Sequence, residues 1–352
     1  MPALRIAVIA GDGIGLEVVP EGQRVVAAAA RREGIAIDFE PFDWGCDHHT
    51  RTGRMMPEQG LRKIAGHDAI FLGAIGWPTV PDHVSLWTLL MPIRRDFQQY
   101  VNLRPVRLFK GVPCPLANKE PGSIDFLIVR ENNEGEYSEI GGRLYAGTDQ
   151  EMVIQESVFT RFGTDRIIRY AFELAKTRPR KKLTSATKSN GIIHSMPFWD
   201  ERFRAVAAGY PDIATEQYHI DILTAHFVRK PESFDVVVAS NLFGDILSDL
   251  GPAVTGTIGI APSANINPER KFPSMFEPVH GSAPDIAGQN VANPVGQIWS
   301  GALMLEHLGA KAAANRIVAA IERVLADGKV MTRDMGGTAS TQAMGQAVLD
   351  AL

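Results

Sequence analysis

A short apolar run, a glycine-rich turn and a long helical pattern open the chain, and that order limits what it can fold into more than any other feature. Residues 4–9 are apolar apart from Arg5, Gly11-Asp12-Gly13-Ile14-Gly15 follows, and residues 15–32 then set Val18, Val25 and Val26 at helical spacing. A run this short, stopped by glycine, reads as a buried strand, and the longer periodic stretch as a helix. The alternation continues. Residues 35–39, 69–72, 124–129, 152–158, 183–185 and 236–239 read as strands, with helical patterns over 165–176 and 196–208. Neighbouring parallel strands need a crossover connection, usually a helix, so this alternation predicts an α/β class with parallel pairing. The last third reads as helical, over 294–308, 310–325 and 341–352.

The 352 residues exceed one ordinary core, which predicts two domains. No linker or internal repeat separates them, so one domain is expected to be inserted into the other. Residues 137–150 are glycine-rich and polar and precede an alternating run. That stretch reads either as a protruding arm that exchanges with a partner subunit or as a solvated loop.

Composition excludes several functions. Hydrophobic residues at 45% and charged residues at 22% are the balance of a soluble globular protein. A net charge of -4 with no long basic block argues against a nucleic-acid partner, and the densest basic stretch, 178–182, is expected at solvent. Two cysteines, Cys46 and Cys114, cannot make a disulfide framework; they are expected as buried small hydrophobes in a reducing, cytoplasmic compartment. The first ten residues lack a cleavable signal pattern, and no apolar stretch approaches a membrane span.

The turn at Gly11 to Gly15 has the context of a Rossmann phosphate loop, and Asp38 and Glu40 lie at a plausible distance for a ribose contact. The spacing is GxGxG, however, with Leu16 in the sixth position. A turn that needs glycine for its backbone conformation or for close packing is the better reading. Chemistry is more legible after residues 234–239. Asp245 and Asp249 are four apart, so a helix stacks them on one face. Two such carboxylates suit a hard dication, Mg2+ or Mn2+. Equally, Asp245 can complement the helix dipole while Asp249 is solvated. The spacing does not choose; a third carboxylate decides it, and Asp221 is one candidate.

Arg94, Arg104 and Arg130 each sit beside an element end, and a guanidinium fork fits a carboxylate. Arg130, directly after an apolar strand, is the strongest of the three; singly, each also suits a surface ion pair. Lys188 stands where a strand gives way to a helix, either as a base beside a metal or as an ordinary solvated lysine. Tyr137 is flanked by polar residues, which disfavours a core role and leaves a donor role open.

Taken in order, Gly11 to Gly15, Asn102-Leu103-Arg104-Pro105, Val129-Arg130-Glu131-Asn132, Lys188-Ser189-Asn190, Asn241 to Asp249 and Glu277 to Ile286 resemble the β-decarboxylating dehydrogenase family of isocitrate, isopropylmalate and tartrate/D-malate dehydrogenases, over essentially the whole chain. The resemblance implies an isopropylmalate dehydrogenase-like two-domain fold and not a Rossmann domain. A large, cofactor-side domain of residues 1–99 plus 252–352 would flank a small domain, 100–251, carrying the dimerisation arm and catalytic residues. It implies a homodimer in which Asp221 and Lys188 reach across to the other chain. By position, Arg94, Arg104 and Arg130 match substrate-carboxylate arginines and Asp221, Asp245 and Asp249 match metal ligands. Lys188 matches the base that takes the hydroxyl proton, and Tyr137 the acid that protonates the enolate. Asn190 matches a nicotinamide-side contact. The cofactor loop would be His280, Gly281, Ser282, Ala283, Asp285 and Ile286, with Asn293 beyond it. Asp285 matches the acid that receives the adenosine ribose hydroxyls; a carboxylate there repels a 2′-phosphate, so the expected cofactor is NAD, with Mg2+ or Mn2+. K+ is a further ion the family often uses. Before Arg94, the Leu86-Trp87 pair resembles the tartrate/D-malate branch, and Trp87 would fill the room a longer C3 substituent needs. Pro92 predicts a kink in that helix. The expected reaction is NAD-linked oxidation and decarboxylation of a small 2-hydroxy dicarboxylate. Isopropylmalate oxidation, a metal-independent 2-hydroxy acid dehydrogenase insensitive to EDTA, and a dicarboxylate-binding protein are the competing readings.

Overall fold

The computed structural model describes residues 3–352 and divides into two compact units. One contains the chain up to Gln99, residues 104–124 and residues 252–352; the other contains residues 100–103 and 125–251. The strands are β1 (Leu4–Gly11), β2 (Ile37–Pro41), β3 (Ala69–Ala74), β4 (Val101–Arg107), β5 (Asp125–Glu131), β6 (Gly141–Leu144), β7 (Met152–Gln155), β8 (Lys182–Thr187), β9 (Ala214–His219), β10 (Val236–Ala239), β11 (Pro262–Ile266) and β12 (Ser274–Pro278).

In the first unit the strand order is β2-β1-β3-β12-β11. All neighbours are parallel except β11 and β12, which pair antiparallel. All six residues of β3 are buried, as expected of a parallel strand covered on both faces. The helix Gly15–Arg32 packs against the helix Val295–His307, and Gly301 permits the approach: a Cβ there would stand 2.2 Å from a Val26 methyl. β11 and β12 correct the expectation of an all-helical last third. Both are fully buried yet carry Ser263, Asn265, Ser274 and Glu277, so their sequence has no apolar run to read. Residues 104–124, expected in the insert, also belong here. Phe109 packs edge-on against Trp299 at 5.0 Å, and Arg107 pairs with Glu322.

The second unit has four parallel strands in the order β5-β10-β8-β9, with the helices Arg161–Thr177 and Ser195–Ala207 packed on one another. β6 and β7 form a separate antiparallel hairpin in which all eight residues are exposed. It gives the glycine-rich stretch an ordered form, with the second strand ending at Gln155 and not at 158. Arg178 is not at solvent as expected; it is half-buried, donating to Asp235 at 2.8 Å and Asp125 at 2.9 Å. Cys46 is buried, whereas Cys114 is only half-buried; both are free.

Pro92 is accommodated by a local change of helix type. Between the helical turn Asp82–Ser85 and the helix Met91–Asp96, residues Leu86–Leu90 are π-helical, and the Met91 N–H reaches back five residues to the Leu86 carbonyl. The widened turn relieves the crowding a proline ring causes in the turn before it. The extra residue also shifts the helical phase. Trp87 stacks over the guanidinium of Arg95, eight residues on, at 4.9 Å; without the bulge its face would be that of residue 94.

Candidate active site

In the second unit, β5 delivers Arg130, and the helix Asn241–Thr255 delivers Asn241 and Asp245. Gly244 lets them meet, since a Cβ there would stand 2.6 Å from the Arg130 side chain. The buried guanidinium lies along the first turns of the helix. Its Nε and Nη2 donate to Asn241 Oδ1 at 3.0 and 2.7 Å, and its Nη1 donates to Asp245. Tyr137 donates its hydroxyl to the other Asp245 oxygen at 2.6 Å, and its ring lies 5.2 Å from the Arg130 guanidinium carbon. Burial raises the Tyr137 pKa and the Asp245 carboxylate raises it further, against the opposing pull of Arg130. The phenol therefore keeps its proton at neutral pH.

Glu136 fixes this loop to the helix start. Its two oxygens accept the Ser240 hydroxyl at 2.8 Å and the Leu242 N–H at 3.0 Å, placing a carboxylate at the positive end of the helix. Glu136 and Asn241 escaped sequence reasoning. Their partners lie about a hundred residues away, and no local spacing announces them.

Asp249 is exposed one turn beyond Asp245. Asp221 opens the helix Ile220–Arg229 and accepts a bond from Lys188 Nζ at 2.8 Å, which holds its carboxyl below the usual range. Asn190 is exposed in the turn after β8. One chain thus brings Arg130, Tyr137 and Asp245 together, and Lys188 with Asp221. Among the described residues, no three His, Cys, Asp or Glu side chains are grouped to hold a metal. Asp221, Asp245 and Asp249 are not gathered within one chain.

In the first unit Arg94 is buried and donates to Glu277 Oε1 at 2.9 Å; that oxygen also accepts from Asn265 at 2.6 Å. Arg104 is buried on β4. The glycine turn works structurally. A Cβ on Gly11 would meet the Ala74 carbonyl at 2.0 Å, and one on Gly13 the Ser282 carbonyl at 2.1 Å. Asp12 accepts the N–H groups of Cys46 and Gly76, both at 2.8 Å, so it is occupied within the fold. Glu40 pairs with Arg5 and His67 at the outer strand β2, which removes it as a ribose acid.

The same turn pins the loop after β12. Ile14 N–H donates to the Ser282 carbonyl at 2.9 Å, and Glu17 accepts the N–H groups of Gly288 and Asn290, both at 2.7 Å. The loop borders a cavity of about 460 Å³ lined by Ile14, His280, Ala283, Asp285 and Ile286, among others, which is ligand-sized. The Asp285 carboxylate is exposed at its rim. Asn293 also lines the cavity, but its side chain is held by the Val295 N–H and Asp334.

Parallel strands in both units, with arginines, a tyrosine, a lysine and carboxylates in this order along the chain, point to a class of dehydrogenase. Residues 5–348 match the model of the isocitrate/isopropylmalate dehydrogenase family, and the chain belongs to that family and is an oxidoreductase. It is 63% identical to D-malate dehydrogenase (decarboxylating) of Escherichia coli (strain K12), covering 99% of this chain and 98% of that protein. It is 61% identical to tartrate dehydrogenase/decarboxylase of Pseudomonas putida, over 100% and 99%. The crystal structure of isocitrate dehydrogenase from Methylococcus capsulatus superposes with a TM-score of 0.89 at 34% identity, covering 99% of each chain. Among the described residues no helix is long and apolar enough to cross a membrane.

Proposed function

We propose that this enzyme oxidises a four-carbon 2-hydroxy dicarboxylate, D-malate or tartrate, with NAD and a divalent cation, and releases CO2 from the oxidised product. The observation that carries the reading is the joint placement of Arg130, Tyr137 and Asp245, a carboxylate receptor, a retained proton and a hard oxygen ligand within hydrogen-bond contact. The similarity to enzymes named for D-malate and tartrate supports the substrate class.

Asp245 and Asp249, four apart on one helix, offer hard oxygen ligands suited to Mg2+ or Mn2+. The third ligand, Asp221, would be the partner chain's. The cavity beside Asp285 fits the adenosine half of NAD: its rim carboxylate suits ribose hydroxyls and disfavours a 2′-phosphate. When bound, these groups supply polarisation of the C2 oxygen and acceptance of the C2 hydride. The chain's own residues do the rest. Arg94, Arg104 and Arg130 bind the substrate carboxylates. Lys188 Nζ takes the hydroxyl proton. Tyr137, still protonated, delivers a proton to C3 once the β-carboxylate has left, so D-malate ends as pyruvate.

Two copies per enzyme are proposed because the hairpin β6–β7 leaves Leu144, Val153 and Ile154 exposed, and Ile222, Val228 and Ile246 are exposed on the helices carrying Asp221 and Asp245. The two free thiols fit a cytoplasmic setting. The decisive assay offers D-malate, the tartrate isomers and isopropylmalate with NAD and Mn2+, scoring NADH and CO2 separately. D-malate or a tartrate should give both, and EDTA should abolish turnover. Activity indifferent to EDTA, or confined to isopropylmalate, refutes the proposal.

A further inference from the structure

The loop that leads into the hairpin β6–β7 is tied in two directions. Gly135 exchanges backbone hydrogen bonds with Val158 at 2.7 and 2.8 Å. The Ser138 hydroxyl donates to the Glu156 carbonyl at 2.5 Å, and Gln155 donates to the Ser138 carbonyl at 2.9 Å. Those bonds fasten the loop to the segment returning from the hairpin. The two residues between Gly135 and Ser138 reach the helix Asn241–Thr255 and its approach instead. Glu136 accepts the Ser240 hydroxyl and the Leu242 N–H through separate carboxylate oxygens, and Tyr137 donates to Asp245. Leu242 and Asp245 are three apart, about one helical turn, so two successive loop residues grip the two ends of that turn.

The two grips differ in kind. Glu136 makes charge-assisted bonds to a backbone N–H and to the hydroxyl of a fully buried serine, groups that the fold itself holds in place. Tyr137 reaches a side-chain carboxylate through a ring that can turn on its own stem. The first grip therefore sets where the second one falls. Without Glu136 the loop would keep its bonds to the returning segment, and the helix would keep Arg130 on Asn241. Both would stay folded while the register between them was released.

Resting on the proton-delivery reading above, we infer that Glu136 is a positioning residue for Tyr137. It holds the loop on the helix start so that the phenol stays on Asp245 and keeps its proton there until the β-carboxylate has left. Delivery to C3 is sensitive to a slip of this kind, because donor and carbon must stand in contact and in line.

Three variants test the inference: Glu136→Ala, Glu136→Gln and Glu136→Asp, the first also combined with Tyr137→Phe. With D-malate, NAD and Mn2+, Glu136→Ala should slow CO2 release about tenfold and leave hydride transfer within about twofold. Combined with Tyr137→Phe, it should cost less than about twofold further, since a residue that acts through Tyr137 has nothing left to place. A purely structural role would add its whole cost there. Glu136→Gln should recover most of the rate. Its amide oxygen keeps the Leu242 N–H, and its NH2 donates to the Ser240 hydroxyl, which accepts as well as donates. Fluorine NMR of protein made with meta-fluorotyrosine reads the placement without substrate. The Tyr137 resonance, identified by its loss in Tyr137→Phe, should move in Glu136→Ala and return in Glu136→Gln while the other tyrosines hold still. Glu136→Asp, one methylene too short to span both donors, should show the alanine pattern in weaker form and decides the question if the alanine variant does not fold. A loss carried whole into the Tyr137→Phe background, or a Tyr137 resonance that stays put, overturns the inference. If Tyr137→Phe slows both steps equally, yet Glu136→Ala moves the resonance and adds no further loss, the proton-delivery reading fails and the positioning role stands.

Discussion

Tyr137 is held between Asp245, to which it donates, and Arg130, over which its ring lies. Replacing Tyr137 with Phe removes the retained proton and little else. CO2 release should slow by about two orders of magnitude while hydride transfer changes much less. Pre-steady-state NADH formation set against CO2 evolution separates the two, and an equal slowing of both would remove Tyr137 from the proton-delivery role. Glu131, next to Arg130, behaves differently. It is fully buried, its oxygens accept the N–H groups of Asn133 and Glu134, both at 2.9 Å, and burial still pushes its carboxyl up to about 7. Because the folded state holds the proton more tightly than the unfolded chain, this group's contribution to stability is full below about pH 4.5 and declines as pH rises to about 7. The decline is on the order of 3 kcal/mol at most. Glu131→Gln, an analogue of the protonated acid, should flatten that part of the stability profile in urea unfolding at pH 5 and pH 8. A slope unchanged in the variant would mean that other groups set it.

The glycine turn and the first helix act together as a clamp on the loop that follows β12. Glu17 holds two backbone N–H groups of that loop, and Gly13 lets Ser282 come within contact. Glu17→Ala should speed amide exchange at Gly288 and Asn290 and weaken NADH binding about tenfold, with the melting of the first unit's core little changed. Faster exchange without weaker binding would place the cofactor elsewhere. This clamp also marks where sequence reading stops. The helix Gly15–Arg32 and the strands β1, β3 and β10 were legible because each buries a regular apolar pattern. β11 and β12 were not, because their buried positions include Asn265 and Glu277, whose polar groups are satisfied by each other and by Arg94. The phase shift at Leu86–Leu90 was likewise hidden; Pro92 signalled a distortion but not that Trp87 would land over Arg95. The candidate residues stood in the sequence, but the pairings of Arg130 with Asp245 and of Arg94 with Glu277 join positions more than a hundred residues apart.

For the whole molecule, the carboxylates pose the sharpest question. A single chain engages Asp221 with Lys188 and Asp245 with Arg130 and Tyr137, and among its described residues no three acidic side chains are gathered for a metal. If the proposed dimer completes each site with the partner's Asp221, two inactive variants should repair one another. Asp221→Asn fails because it lends a defective ligand, and Asp245→Asn because it owns one. In a mixed dimer, one site combines both defects and the other is intact. Mixing the two variants equally, dissociating and reassociating them should yield about half mixed dimers, each with one working site, and so about a quarter of normal turnover. Mn2+ binding should return in the same proportion, which separates site assembly from any effect on substrate. A metal site built within one chain predicts no recovery, because every chain in the mixture carries a lesion. Recovery near a quarter, absent when either variant is reassociated alone, is an outcome only a shared site can give.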